Sequence, residues 1–151
     1  MYIGNVFEVT EELQEAVRRL IPQLGAHKTP PTLEELDTLI KSESSTLVVA
    51  RDSDENGPIT GILSLIIYRV PTGLRSIIED VVVDEKMRRR GVGEALIRYS
   101  IELAREAGAN GVSLTSNSER EAANRLYQSI GFQIRKTNPY FYELTARLTP
   151  C

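Results

Sequence analysis

Three consecutive arginines run directly into a Gly-x-Gly sequence near the middle of the chain. Arg88, Arg89 and Arg90 precede Gly91 and Gly93, and a helix-forming sequence follows at once. The first N–H groups of a helix have no internal partner, and the helix dipole adds partial positive charge there. Glycines let a ligand reach those groups without a Cβ in the way. This stretch therefore predicts a binding site for a phosphate-bearing ligand.

Two common nucleotide motifs do not fit this stretch. The Walker P-loop requires a lysine followed by serine or threonine after its last glycine, and no such pair is present here. The dinucleotide fingerprint requires a third glycine where Leu96 stands, and no early βαβ unit precedes it. Both P-loop and dinucleotide sites are therefore disfavoured.

Two adjacent carboxylates interrupt the apolar stretch IIEDVVV just before the arginines. Neighbours in a strand point to opposite faces, so either Glu79 or Asp80 can face a cleft. A partly buried carboxylate has a raised pKa and can accept a proton from an amine, directly or through water. We prefer Glu79 as the base because it shares strand parity with Val81 and Val83. The structural alternative is a buried carboxylate that caps a loop or pairs with Arg75.

A later amphipathic sequence places polar groups on one stripe. On a helix over residues 119–130, Arg120, Asn124 and Tyr127 fall within roughly 60° of one another. Tyr127 lies at the border of the apolar face, where its hydroxyl can reach a cleft. Asn117, in the loop before the helix, is a further polar candidate. The structural alternative is a solvated helix face with Tyr127 at the edge of the core.

The predicted elements follow the order β-α-α-β-β-β-α-β-α-β-β, which indicates a mixed α+β fold. Thr10 is a predicted helix cap, and Thr32 with Glu35 and Ser118 with Glu121 are predicted capping boxes. An Asn-Gly pair at 56–57 predicts a hairpin. The stretches GVSLTS, FQIRK and YFYELTARL are predicted as the last strands.

Composition narrows the class of protein. The chain has 151 residues, a net charge of -3 and 41% apolar residues, which favours one globular domain over residues 1–151. The charge argues against a nucleic-acid partner, including a basic-turn RNA-binding module, because such sites need a basic face. Neither His27 nor any other residue has the spacing of a metal site.

The number of cysteines and the length of the apolar runs indicate where in the cell the protein resides. The single Cys151 cannot form an internal disulfide, and the sequence starts without a signal peptide. Its longest apolar run is far shorter than the roughly 20 residues of a membrane span. These features predict a cytoplasmic protein without a membrane partner.

Two stretches resemble motifs of the GNAT superfamily of acyl-CoA N-acyltransferases. VVVDEKMRRRGVGEALI resembles its acyl-CoA-binding motif, [Q/R]-x-x-G-x-[G/A], with Arg88, Gly91 and Gly93 at the fixed positions. NRLYQSIGF resembles its later tyrosine-helix motif, with Tyr127 four residues before Gly131. IIEDVVVD is also similar to the corresponding strand of glucosamine-phosphate acetyltransferases. The resemblance is firm over residues 77–132 and implies a mixed, mostly antiparallel central sheet flanked by helices.

The resemblance implies acetyl-CoA as co-substrate and assigns residues to it. The pantetheine arm would pair with the strand that holds Val81, Val82 and Val83, chiefly through the backbone of Val81 and Val83. The pyrophosphate would lie on the turn formed by Arg88, Arg89, Arg90, Gly91, Val92, Gly93 and Glu94. Asn117, Arg120 and Asn124 would flank CoA. Many relatives have asparagine where Arg120 stands, so that contact departs from the family pattern.

The resemblance also implies a reaction. The chain would move an acetyl group directly from acetyl-CoA to a primary amine, with Glu79 as base, Asp80 as the alternative base, and Tyr127 as the acid for the thiolate. The acceptor stays open between small-molecule amines, including amino sugars, and protein amines. A non-catalytic CoA-binding regulatory module on the same fold is the alternative function.

The aromatic sequence NPYFYELTARL predicts a homodimer. In a strand, Tyr140 and Tyr142 would point one way and Phe141 the other, so both faces would need cover. A second copy would supply it. A strand buried within one chain is the alternative.

Overall fold

The computed structural model describes residues 1–144. Along the chain it forms β1 Tyr2–Asn5, α1 Glu11–Leu20, α2 Leu33–Lys41, β2 Ser45–Arg51, β3 Ile59–Val70, β4 Gly73–Val83, α3 Val92–Ala107, β5 Val112–Ser113 and α4 Glu121–Ile130. Short 3-10 turns follow α1 at Ile21–Gln23 and β4 at Glu85–Met87. No helix within the described range combines the length and the apolar character needed to cross a bilayer.

The five strands form one sheet in the order β1-β2-β3-β4-β5. The first three pairings are antiparallel, and only β4 and β5 are parallel. The predicted mixed, mostly antiparallel sheet is confirmed. The two faces of the sheet carry separate cores because side chains alternate along each strand. On β2, Leu47 and Val49 pack against α1 and α2, whereas Val48 and Ala50 pack against α3.

Local sequence signals at the first two helices are confirmed. The Thr10 hydroxyl accepts a hydrogen bond from the Leu13 N–H at 3.1 Å. Thr32 and Glu35 form both bonds of the predicted capping box. The hairpin between β2 and β3 turns at Gly57, where a Cβ would lie 1.6 Å from the backbone oxygen of Asp52.

The predicted late strands are largely wrong within the described residues. The strand predicted from GVSLTS is limited to Val112–Ser113, and residues 132–144 contain no strand. Ile134, Tyr140 and Phe141 are 84%, 91% and 92% exposed. A strand needs a neighbour for its backbone groups, and alternating aromatic residues do not supply one. Residues 145–148 of the last predicted strand, and Cys151, lie outside the described residues.

Candidate active site

A cleft opens where β4 and β5 separate. The two strands pair only at Ser76 with Val112 and at Ile77 with Ser113. Beyond these pairs the strands diverge, and a cleft of about 190 Å³ lies between them. Its walls include Leu24, Glu79, Asp80, Val81, Arg120 and Tyr127. This strand-divergence cleft therefore brings together residues from the α1–α2 loop, β4 and the start and middle of α4.

A β-bulge in β4 forms one wall of the cleft. Ile62 pairs with Val82 and Ser64 pairs with Glu79, so Asp80 and Val81 together oppose the single residue Leu63. Asp80 has a φ of 49°, in the left-handed region that is uncommon for residues other than glycine. An extra residue reverses the alternation of side chains. The parity argument that placed Glu79 with Val81 and Val83 is therefore wrong.

The packing on either side of the bulge shows this reversal. Ile78 packs in the core on the α3 side, whereas Val82 packs in the core on the α1 side. In a regular strand, two residues four positions apart would lie on the same face. Val81 and Val83 contact the α3-side core. Glu79 lies opposite Ser64, on the face of the sheet where Ile62 packs against α1.

Both carboxylates at the bulge are exposed. The expected partial burial of one of them is wrong, because the opening between β4 and β5 leaves this part of the strand without a covering neighbour. The structural alternative, an ion pair with Arg75, is not formed either, and that guanidinium donates to the Thr72 hydroxyl at 2.9 Å. Glu79 and Asp80 nevertheless line the same cleft as Tyr127.

The backbone of β4 presents alternate residues to the cleft. The Asp84 N–H donates to the Thr60 carbonyl at 2.8 Å, which makes these two a hydrogen-bonded pair. In an antiparallel ladder the next such pair is Val82 with Ile62, so the C=O of Val81 and both backbone groups of Val83 point away from β3. The Val81 N–H belongs to a peptide of the bulge, where this alternation does not apply. Val81 and Val83 therefore offer backbone groups on the β5 side, and Val82 does not.

The arginine-rich turn continues from the end of β4. Arg88 donates from Nε to the Val83 carbonyl at 3.3 Å. Arg89 has a φ of 66°, and Gly91, the N-cap of α3, has a φ of 80°. A Cβ at Gly91 would meet open space, and no described side chain caps this helix end. The turn thus presents exposed arginines beside free helix N–H groups.

The remaining residues of the turn anchor it to the fold. Val92 is 3% exposed and packs in the α3-side core. A Cβ at Gly93 would approach Val83 at 3.6 Å and Leu126 at 3.8 Å, so α3 passes close to β4 and α4 here. Glu94 accepts a hydrogen bond from Arg98, one turn later, at 3.2 Å.

Tyr127 points from α4 toward the cleft. It is 9% exposed, and its ring packs edge-on against Phe132 with 6.0 Å between ring centroids. Burial raises the pKa of the Tyr127 hydroxyl above its ordinary value of 10.0, and the charge of nearby Arg120 offsets part of that rise. The phenol therefore keeps its proton at neutral pH and is available as a proton donor.

The two candidate asparagines bind the backbone of the loop before α4. Asn124 donates from Nδ2 to the carbonyls of Asn117 and Arg120, each at 2.9 Å. The Asn117 side chain accepts a bond from the Glu119 N–H at 2.9 Å. These bonds shape the loop in place of the predicted capping box at Ser118, which is absent because α4 begins only at Glu121.

The sequence reasoning missed two groups near this site. Thr115 lines the cleft, and the neighbouring Ser116 hydroxyl is buried with no hydrogen-bond partner among the described residues. Neither carries a local sequence signal, because the separation of β5 from β4 is a tertiary feature. The sequence placed both residues inside the predicted strand GVSLTS, whereas the strand of the structure ends at Ser113.

A bridge from α1 also fixes the entry to the turn. Arg19 forms an ion pair with Asp84 and donates from Nη2 to the Ile59 carbonyl at 3.0 Å. The Asp84 carboxylate in turn accepts from the Lys86 N–H at 3.2 Å. This Arg19–Asp84 bridge joins the helix on one face of the sheet to the start of the arginine turn.

Known proteins resemble this chain in sequence. Residues 9–132 match the family described as acetyltransferase (GNAT) family. The chain is 32% identical over 113 residues to N-acetyltransferase family 8 member 3 of Rattus norvegicus, covering 74% of this chain and 47% of that protein. It is 32% identical over 88 residues to the L-amino acid N-acyltransferase MnaT of Escherichia coli (strain K12), covering 58% and 51%. The chain thus spans about half the length of these curated relatives.

A solved structure extends the comparison to the fold. An aminoglycoside acetyltransferase from an uncultured soil metagenomic sample superposes with a TM-score of 0.80 at 19% identity, covering 96% of each chain. At that identity the likeness concerns the fold alone.

Proposed function

Because the chain belongs to the acetyltransferase (GNAT) family, we propose that it moves the acetyl group of acetyl-CoA directly to a primary amine. One observation carries the proposal: the strand-divergence cleft holds a protonated, buried phenol and leads along β4 to an arginine-rich helix N-terminus. Acetyl-CoA bound along β4 would place its phosphates at the arginine-rich turn and its thioester carbonyl in the cleft beside Tyr127.

In this proposal the pyrophosphate lies on the turn of residues 88–94. Its oxygens would accept hydrogen bonds from the free N–H groups at the start of α3, with the three arginines adding attraction. The pantetheine amides would pair with the outward backbone groups of Val81 and Val83. Arg120 lies in the cleft and would meet the CoA chain from the other side. Val82, Asn117 and Asn124 have no direct contact in this proposal.

The proposed reaction forms one bond and breaks one. The amine nitrogen bonds to the carbonyl carbon of the thioester, and the carbon–sulfur bond breaks. Tyr127 gives its proton to the departing thiolate, and because burial raises the pKa of the phenol it still carries that proton at neutral pH. Glu79, or Asp80 beside it, takes the proton that the amine nitrogen loses, through water because both carboxylates are exposed.

The test is release of free CoA from acetyl-CoA in the presence of a panel of primary amines. Transfer to at least one amine, together with loss of that transfer in Tyr127→Phe, would support the proposal. Binding of acetyl-CoA without transfer to any amine would instead favour the non-catalytic CoA-binding module.

The homodimer stays a prediction with a changed basis. No strand forms over residues 140–144, but Tyr140, Phe141 and Leu144 are each at least 88% exposed. Exposed apolar residues in one segment are typical of an interface. Sedimentation at micromolar concentration should show a species of about twice 16.9 kDa that dissociates in Phe141→Asp. A single species of one chain mass would contradict it.

A further inference from the structure

The sheet beside the cleft carries an apolar strip. On the face of the sheet where Ile62 packs against α1, Ser64 lies opposite Glu79, and Ile66 lies opposite Ile77. Directly opposed residues in an antiparallel pair share one face and contact each other. We call Ile66, Ile77 and the next residue along, Tyr68, the β3–β4 strip. It runs away from Glu79 toward the hairpin end of the sheet.

The strip is only partly covered. Ile66, Tyr68 and Ile77 are all of intermediate exposure, and neither isoleucine belongs to the two apolar clusters found within residues 1–144. The helices on this face pack elsewhere, since α1 contacts β3 near Ile62 and α2 contacts β2. An apolar surface next to a cleft mouth is suited to the body of a ligand whose reactive end enters the cleft.

The charges near the strip are unequal at its two ends. Glu79 and Asp80 are exposed at the cleft end and would attract an ammonium group. The exposed Arg75, opposite Tyr68, lies four residues from Glu79 on β4, a separation of about 13 Å at the usual rise of a strand. An anionic group next to the ligand's amine would therefore face two carboxylates, because Arg75 is out of reach and Arg120, the cation that lines the cleft, is engaged by CoA in the proposed function.

We propose that the acceptor is a primary amine on an aliphatic or aromatic body with no carboxylate next to the amino group. The inference rests on the proposed acetyl transfer and adds the class of amine. Its ammonium is drawn to Glu79 and Asp80, and its body covers Ile66 and Ile77. A free α-amino acid suffers repulsion at the cleft, and a polyhydroxylated amino sugar leaves the apolar strip uncovered.

The first experiment compares three acceptors on the full chain: phenethylamine, phenylalanine and glucosamine. We expect kcat/KM for phenethylamine to exceed that for the other two by about tenfold or more. The carboxylate of phenylalanine lowers the pKa of its amine, so the fraction of neutral amine cannot explain this order. An equal or higher value for phenylalanine or glucosamine would overturn the inference and leave acetyl transfer intact. Failure of every amine would remove acetyl transfer itself.

The second experiment tests the strip. Ile66→Ser and Ile77→Ser should each raise KM for phenethylamine about tenfold with little change in kcat, because the amine loses contacts made equally in the ground and transition states. KM for methylamine, which cannot reach the strip, should stay the same. Ile134→Ser, at an 84% exposed position outside the sheet, is the matched control. Equal changes for both amines, or none, would overturn the inference.

The third variant tests the charge rule. Glu79→Gln should narrow the ratio of kcat/KM between phenethylamine and phenylalanine by about threefold, because halving the repulsion free energy of the carboxylate leaves the square root of a tenfold ratio. Any loss of general catalysis affects both acceptors and cancels in the ratio. An unchanged ratio would show that Glu79 does not choose the acceptor.

Discussion

The bulge in β4 and the arginine-rich turn after this strand each hold a residue other than glycine with positive φ, but the two regions differ in origin. In the turn, Arg89 has a φ of 66° and Gly91 has a φ of 80°. In the bulge, which is created by the register between β3 and β4, Asp80 has a φ of 49°. The turn is specified by consecutive residues, whereas the bulge depends on a partner strand. In the proposed function, the co-substrate site is therefore specified by local sequence, and the acceptor side is specified by tertiary pairing.

Substitution of Tyr127 tests whether the turn and the bulge work as one site. Tyr127→Phe removes the proton donor and keeps the ring against Phe132, so kcat should fall by about 100- to 10,000-fold with acetyl-CoA affinity unchanged. In the wild type, the raised pKa of the phenol means that the alkaline decline in rate that it causes lies above pH 10.0. A variant with wild-type turnover would show that the turn and the bulge do not form one site around this side chain.

Substitution of Gly91 tests whether the turn binds phosphate. Both Asp and Asn tolerate left-handed backbone and are nearly equal in size, so Gly91→Asp and Gly91→Asn share their conformational cost. The Asp variant adds a negative charge where phosphate is expected, and its acetyl-CoA affinity should be about 100-fold weaker than that of the Asn variant, or about 2.8 kcal/mol. Calorimetry at two salt concentrations measures both. Equal affinities would remove the anion site from this turn.

Substitution of Glu79 tests the catalytic role of the bulge. Glu79→Gln should lower kcat for a simple amine about tenfold or more while acetyl-CoA binds as before, because the carboxylate acts on the acceptor and not on the phosphates. Asp80→Asn is the matched comparison at the neighbouring position. If only Asp80→Asn lowers kcat, the roles of the two carboxylates are exchanged.

The smallest expected effects separate strain from function. Asp80→Gly and Arg89→Gly each relieve a left-handed L-residue, which costs roughly 1–2 kcal/mol, but each also adds flexibility to the unfolded chain. Denaturant unfolding should therefore show net changes within about 1 kcal/mol for both. Only Arg89→Gly should also weaken acetyl-CoA binding and reduce its dependence on salt. The comparison breaks if Asp80→Gly has that second effect.

The features that sequence predicted are those in which a few consecutive residues satisfy one another. Thr10, the Thr32–Glu35 box and the Gly91 turn belong to this class. The same logic failed at Ser118 because Asn117 and Asn124 bind the loop backbone and α4 starts later. Local pattern could not decide between these two sets of bonds.

The residues of the proposed acceptor side could not be placed from the sequence, for a related reason. Parity along IIEDVVV assumes a regular strand, and nothing in that stretch marks Asp80 as the extra residue. The exposure of Glu79 likewise follows from the divergence of β5, a strand of two residues. The β3–β4 strip emerges only once Ile66 is known to lie opposite Ile77.

The Arg19–Asp84 bridge has a consequence for the timescale on which the turn moves. Gln23, in the 3-10 turn that follows α1, accepts a hydrogen bond from the Glu85 N–H at 2.9 Å, so α1 and this turn hold the chain at two successive residues. The amide hydrogens of Asp84 and Glu85 can exchange with solvent only when their bonds to the Thr60 carbonyl and the Gln23 side chain open, whereas the amides of Arg89 to Gly91 lie in an exposed turn. We therefore expect slow amide exchange at Asp84 and Glu85 and fast exchange over residues 89–91, with the arginine-rich turn moving about the fixed end of β4.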